Sequence, residues 1–125
     1  MPTAVEMCEL VARYAETAST REVDAYVALF TDDAVQTDPV GRPPNVGREA
    51  IRAFRQSALD ACEAMRFSAT DVHAAGDQVA FHFRVEVTLA SGTMVIEGIE
   101  TFTVAEDGRL QAVDAYWGDS DVTFP

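Results

Sequence analysis

The stretch "VAFHFRVEVTL" constrains this chain more than any other, because its apolar residues alternate without a break. Val79, Phe81, Phe83, Val85, Val87 and Leu89 fall on one side of an extended chain, whose successive side chains point to opposite faces. A helix would scatter them around its circumference. "ASG" follows as a hairpin turn, and a second strand runs from about Thr93 to Val104. "EDGR" turns that strand, and "LQAVDAYWG" returns beside it. The second half is therefore expected to be an antiparallel meander with one apolar face in need of cover.

The cover lies upstream. Met7, Leu10, Val11, Tyr14 and Ala18 recur at helical spacing, and Thr3 with Glu6 reads as a capping box at their start. A shorter helix is expected to carry Val23, Tyr26, Val27 and Phe30 and to end at "TDD". The stretch "VQTDPVGRPPNVGREAI" begins like a strand, breaks after Asp38, and restarts as a third helix. Its stripe is Ile51, Phe54, Ala58, Ala61, Cys62 and Met65. Helices first and a strand meander after make an α+β domain, with helices packed on one face of a mostly antiparallel sheet. A length of 125 residues suits one domain over residues 1–125.

Composition bears mainly on partners. A formal net charge of −12 opposes encounters with nucleic acid and anionic membranes. No apolar run approaches the roughly 18 residues that span a bilayer. The opening "MPTAVEMCELVARYAE" lacks the basic start and apolar centre of a signal peptide, so a cytoplasmic location is expected. Cys8 and Cys62 are expected to be buried free thiols. Neither His73 nor His82 has a metal-ligand partner at suitable spacing, and no metal is expected. Arg84 and Glu86 read as solvated charges on the sheet.

Three polar residues keep unusual company. Glu100 shares a strand side with Met94, Ile96, Gly98, Phe102 and Val104. A carboxylate there must find a cation or stay protonated, unless that side faces solvent or a bulge re-aims it. Tyr14 lies in the apolar stripe of the first helix, where a buried hydroxyl needs a partner; on its own it reads as a satisfied core tyrosine. Asp38 precedes a proline, and on its own an Asp-Pro pair simply starts a turn.

Together with "ARYAE", "DPVGRPPNVGREAIRAF", "FRVEV" and "EDGRLQAVDAYW", these residues make the chain resemble the bacterial ketosteroid isomerases over nearly its whole length. That family lies within the NTF2-like, SnoaL-like group of cone-shaped α+β domains. The resemblance implies a steroid isomerase that needs no cofactor and moves a C=C bond into conjugation with a carbonyl through a dienolate. In such enzymes an Asp base works opposite an oxyanion hole built from a Tyr and a protonated Asp. Position by position, the base falls on Asp38, the tyrosine on Tyr14 and the neutral acid on Glu100, a Glu in place of an Asp. Trp117 matches a position beside the base, where its N–H could hydrogen-bond Asp38. Phe54, Leu59, Phe81, Phe83, Gly98 and Phe102 match the substrate pocket. A homodimer and a small apolar ketone, a steroid, are the implied partners, with no nucleic acid and no membrane.

Some members of the family buttress the oxyanion tyrosine with two more tyrosines. Phe30 and Arg55 stand at those positions, so that network is not expected. Arg55 is left to reach Tyr14 or Glu100, or to run out to water. Two other readings remain open. One is a cyclase, hydratase or epoxide hydrolase on the same fold, disfavoured because Asp38, Tyr14 and Glu100 are the only obvious polar groups in the expected pocket. The other is a non-catalytic apolar-ligand-binding module.

Overall fold

The computed structural model describes all 125 residues. Helix α1 spans Ala4–Ala18, and the Thr3–Glu6 capping box closes its first turn in both directions. Met7, Leu10, Val11, Tyr14 and Ala18 are its buried face, as their spacing requires. Helix α2 is Val23–Val27. Strands β1 (Phe30–Thr37) and β2 (Asn45–Val46) follow, then helix α3 (Arg48–Asp60). Four longer or medium strands come next: β3 (Ala64–Ala75), β4 (Gln78–Leu89), β5 (Gly92–Val104) and β6 (Leu110–Tyr116). A short 3-10 turn leads into β7 (Val122–Thr123).

The seven strands form one curved mixed sheet in the order β2-β1-β6-β5-β4-β3, with β7 on β5. Only β1 and β6 run parallel. The β4–β5 pairing is continuous from Gln78↔Thr103 to Leu89↔Gly92, which sets Phe81 against Glu100 and Phe83 against Gly98. Side chains opposite one another share a face, so the apolar side of β4 and the Glu100 side of β5 are one surface. The three helices cover it, giving a core that runs from Met7 and Leu10 through Phe30, Phe81 and Phe102 to Val113. The α+β architecture expected from the sequence is the one found.

Several elements differ from expectation. The second helix stops at Val27, and Phe30 is the first residue of β1. The acids of "TDD" sit in that strand, where Asp32 and Asp33 are exposed while Thr31 and Ala34 turn inward. The third helix stops at Asp60, and Met65 belongs to β3, a strand the helical stripe had hidden. Cys8 is exposed and Cys62 half-buried, both free. The single turn of α1 that carries Cys8 points it away from the core, one position past buried Met7. No helix is long and apolar enough to cross a membrane.

Candidate active site

Between the helices and the sheet lies a cavity of about 410 Å³, within the size range of small-molecule sites. Of its 21 lining residues 17 are hydrophobic, so the remaining Gln36, Asp38, Arg55 and Glu100 decide its chemistry. Tyr14, Tyr26 and Trp117 add polar tips to apolar rings in the same wall.

Strand β1 delivers Asp38. Ala34, Gln36 and Asp38 follow the two-residue period of an inward face; Ala34 and Gln36 are buried, and Asp38 is half-buried at the strand's end. The Asp38-Pro39 bond is cis, and the Val40 N–H donates to the Ala115 carbonyl at 2.8 Å, tying the turn to β6. Trp117, just beyond β6, donates its indole N–H to Asp38 Oδ1 at 2.7 Å. Burial raises the Asp38 carboxyl above its ordinary value, while the Trp117 hydrogen bond and the Arg42 charge pull it back. The indole N–H and the Arg42 charge thus favour the ionised form of Asp38 against a largely apolar setting.

Glu100 sits mid-strand on β5, flanked by Phe81 and Ala115 on the neighbouring strands. It is 2% exposed. Burial, and then the charge of Asp38, raise its carboxyl well above the ordinary 4.5, with the Tyr14 hydroxyl opposing them. Tyr14 donates to Glu100 Oε1 at 3.2 Å, and Glu100 Oε2 has no partner in the protein. Both alternatives for this residue fall away: its strand side is buried and no bulge interrupts the β4–β5 ladder. Burial without a counter-ion thus favours the neutral form of the Glu100 carboxyl.

Arg55 reaches neither Glu100, Tyr14 nor water. It is 7% exposed and donates from Nη2 to the carbonyls of Ala18 (2.6 Å) and Thr20 (3.2 Å), where α1 ends. Those carbonyls lack helical partners, so a buried cation is well placed there. Its guanidinium carbon lies 5.0 Å from the Tyr26 ring centroid. A carboxylate at 100 would have had a counter-ion had Arg55 turned toward it; as built, it has none.

The absence of a hydrogen-bond network behind Tyr14 is corrected by the structure. Tyr26 places its hydroxyl 3.0 Å from that of Tyr14, and Gln36 Nε2 donates to Tyr26 at 3.0 Å. Burial raises both phenols above their ordinary values, so both stay protonated donors. Sequence reasoning used Tyr26 only as an apolar stripe residue and passed over Gln36. The signals were present: a buried phenol always needs a partner, and Gln36 sits two residues before Asp38 on the same strand side.

Of the positions matched to a substrate pocket, Phe54, Phe83 and Trp117 line the cavity. Phe81 and Phe102 form the layer behind it, Phe102 packing edge-on to Tyr14 with ring centroids 4.9 Å apart. Leu59 is buried outside the lining, and its carbonyl accepts from Arg21 Nη2 at 2.7 Å. Gly98 also stands outside the lining; a side chain there would strike the Tyr116 carbonyl, Phe83 and Trp117. Its bareness lets Trp117 come close enough to the sheet to reach Asp38. No three His, Cys, Asp or Glu side chains cluster so as to hold a metal ion.

A sequence profile described as a SnoaL-like domain matches residues 11–113. Epoxide hydrolase LasB of Streptomyces lasalocidi is 27% identical over 132 aligned positions, which cover 99% of this chain and 45% of LasB. The chain thus spans about half the length of the curated relative it matches. The solved structure of SalBIII, an epoxide hydrolase/cyclase-like enzyme with a role in pyran ring formation in the polyether salinomycin, is 27% identical. It superposes with a TM-score of 0.90, each chain covered in full. Rv0760c of Mycobacterium tuberculosis, 20% identical, gives 0.85 with 95% of this chain and 99% of that one covered. The same protein has been solved in complex with estradiol-17beta-hemisuccinate, and at this identity the likeness is one of fold. The profile match supports the wider group expected from the sequence, and LasB and SalBIII carry epoxide hydrolase and cyclase names where a steroid isomerase was expected.

Proposed function

The chain belongs to the SnoaL-like domain family, and on that footing we propose that it is an acid–base enzyme that opens an apolar epoxide. The attacking group is a hydroxyl of the same molecule, giving a cyclic ether, or water, giving a diol. The observation that carries this reading is a pair of carboxyl groups in the wall of one apolar cavity, both raised by burial but unequally compensated: Asp38 by an indole N–H and Arg42, Glu100 by one phenol. Tyr26, Gln36, Arg55 and Trp117 also remove the earlier objection that the pocket is too poor in polar groups.

Asp38, ionised, takes the proton of the attacking hydroxyl. The oxygen lone pair forms a bond to one epoxide carbon as that carbon's C–O bond breaks. The electron pair moves onto the departing oxygen, which receives the Glu100 proton. Asp38 ends protonated and Glu100 ionised, and exchange with solvent restores both before the next turnover. Positioned proton transfer of this kind contributes on the order of 10²–10⁴-fold per group. Excluding bulk water from a 17-of-21 hydrophobic wall favours the internal hydroxyl over hydrolysis.

The test is an apolar epoxy alcohol whose hydroxyl can close a five- or six-membered ring. Mass spectrometry separates the outcomes: a cyclic ether has the mass of the substrate, and a diol is one water heavier. Either product, formed by wild type and lost in Asp38→Asn, is expected. Conversion no faster than without protein would sink the reading.

A second reading, dienolate isomerisation of a ketosteroid, is favoured by one observation: Tyr14 and Glu100 adjoin, so two donors could converge on one ketone oxygen. Growth of conjugated-enone absorbance with 5-androstene-3,17-dione would select it.

A further inference from the structure

The hydrogen-bonded chain that ends at Glu100 has a direction. Asn45 Nδ2 donates to Gln36 Oε1 at 3.3 Å, and Gln36 Nε2 donates to the Tyr26 hydroxyl at 3.0 Å. Because the single Tyr14 proton goes to Glu100, Tyr26 is the donor in the 3.0 Å contact between the two hydroxyls, its own oxygen accepting from Gln36. Tyr14 accepts from Tyr26 and donates its own proton to Glu100 Oε1 at 3.2 Å. Donors pointing one way along a chain polarise one another. The Arg55 guanidinium over the Tyr26 ring draws electron density the same way, making that phenol a better donor.

Glu100 Oε1 is thereby committed as an acceptor, and the carboxyl proton is left on Oε2, the oxygen without a protein partner. We propose that Gln36 and Tyr26 are positioning residues for the acid: they fix which Glu100 oxygen holds the transferable proton, and they stabilise the carboxylate left after transfer. This deepens the acid–base reading above and rests on it.

The titratable and charged groups sharing the cavity wall with Glu100 are Tyr14 from α1, Tyr26 from α2, Asp38 after β1, Arg55 from α3, and Cys62 after it. Its neighbours on β4 and β6, Phe81 and Ala115, bring no charge. Arg55 is the one cation, and it is turned to main-chain carbonyls. Tyr14 is therefore the only donor to the Glu100 carboxyl. Without Gln36, the Tyr14–Tyr26 bond is free to reverse, and the carboxyl loses its donor for part of the time. A tyrosine buried merely for packing would have no such consequence.

Infrared spectroscopy at pH 7 reads the relay without any substrate. The protonated-carboxyl C=O stretch of Glu100 is assigned by its loss in Glu100→Gln. In Gln36→Leu that stretch is expected to gain a component at higher wavenumber, because Oε1 accepts a hydrogen bond less often. In Tyr26→Phe, which removes one oxygen and serves if Gln36→Leu does not fold, the stretch is expected to move up by less. A stretch unmoved in the folded variants overturns the relay and leaves the acid–base reading standing. No protonated Glu100 stretch in wild type overturns that reading and the relay with it.

Discussion

Asp38 and Glu100 face one cavity, yet the protein treats their carboxyl groups in opposite ways. Asp38 is half-buried at the end of a strand, with an indole N–H at 2.7 Å and Arg42 within electrostatic reach. Glu100 is enclosed in mid-strand between Phe81 and Ala115, with a single phenol at 3.2 Å and an oxygen that nothing satisfies. Both are raised by burial; the compensating donors differ. Stronger compensation favours the charged form at Asp38, and weaker compensation favours the neutral form at Glu100. On the proposed mechanism, a base and an acid are thus made from the same functional group by placement alone.

Asp38→Asn strikes this asymmetry hardest. It removes the only base and should lower turnover by on the order of 10²–10⁴-fold. The thermal unfolding curve should remain close to wild type, because an amide still accepts from Trp117. Glu100→Ala should lose on the order of 10²–10³-fold, with Glu100→Asp retaining much more, since only the latter keeps an O–H donor. Steady-state rates of the two variants check the point; equal rates would remove the donor from the mechanism.

Trp117→Phe sharpens the comparison from the other side. Losing the indole N–H removes a stabiliser of the Asp38 carboxylate, so its carboxyl rises further. The acidic limb of the kcat/KM profile should then move to higher pH, with the alkaline limb unmoved. The smallest effect is on stability. Glu100 binds its proton more tightly folded than unfolded, so the folded state holds more protons above pH 4.5. Its contribution is fully present below 4.5 and declines as pH rises toward the folded-state value. Glu100→Gln escapes that decline, and its denaturant midpoint should gain on wild type with rising pH.

Much of this was legible in the sequence, unevenly. The β4–β5 hairpin announces itself because its alternation is unbroken, and the same numbering exposes Glu100 as a misplaced acid. Strand β3 hides because Ala64, Ser68, Ala69 and Thr70 dilute its pattern, and because Met65 extends the stripe of the helix before it. The first half of strand β1 hides because its outward residues are acids that also suit a helix end. Gln36 was passed over although its stretch begins like a strand, because its inward direction follows only once Ala34, Gln36 and Asp38 are placed on one strand face. Arg55 was beyond sequence reasoning: whether a long cation turns to a carboxylate, to solvent or to the open carbonyls of a helix end is settled by packing among three elements.

A carbon-13 titration of side-chain carboxyls, with Asp38 and Glu100 assigned through Asn and Gln substitution, tests the central asymmetry most directly. The expected result is an ionised Asp38 and a still-protonated Glu100 at pH 7. A Glu100 carboxyl that titrates near 4.5, its ordinary value, would contradict the account.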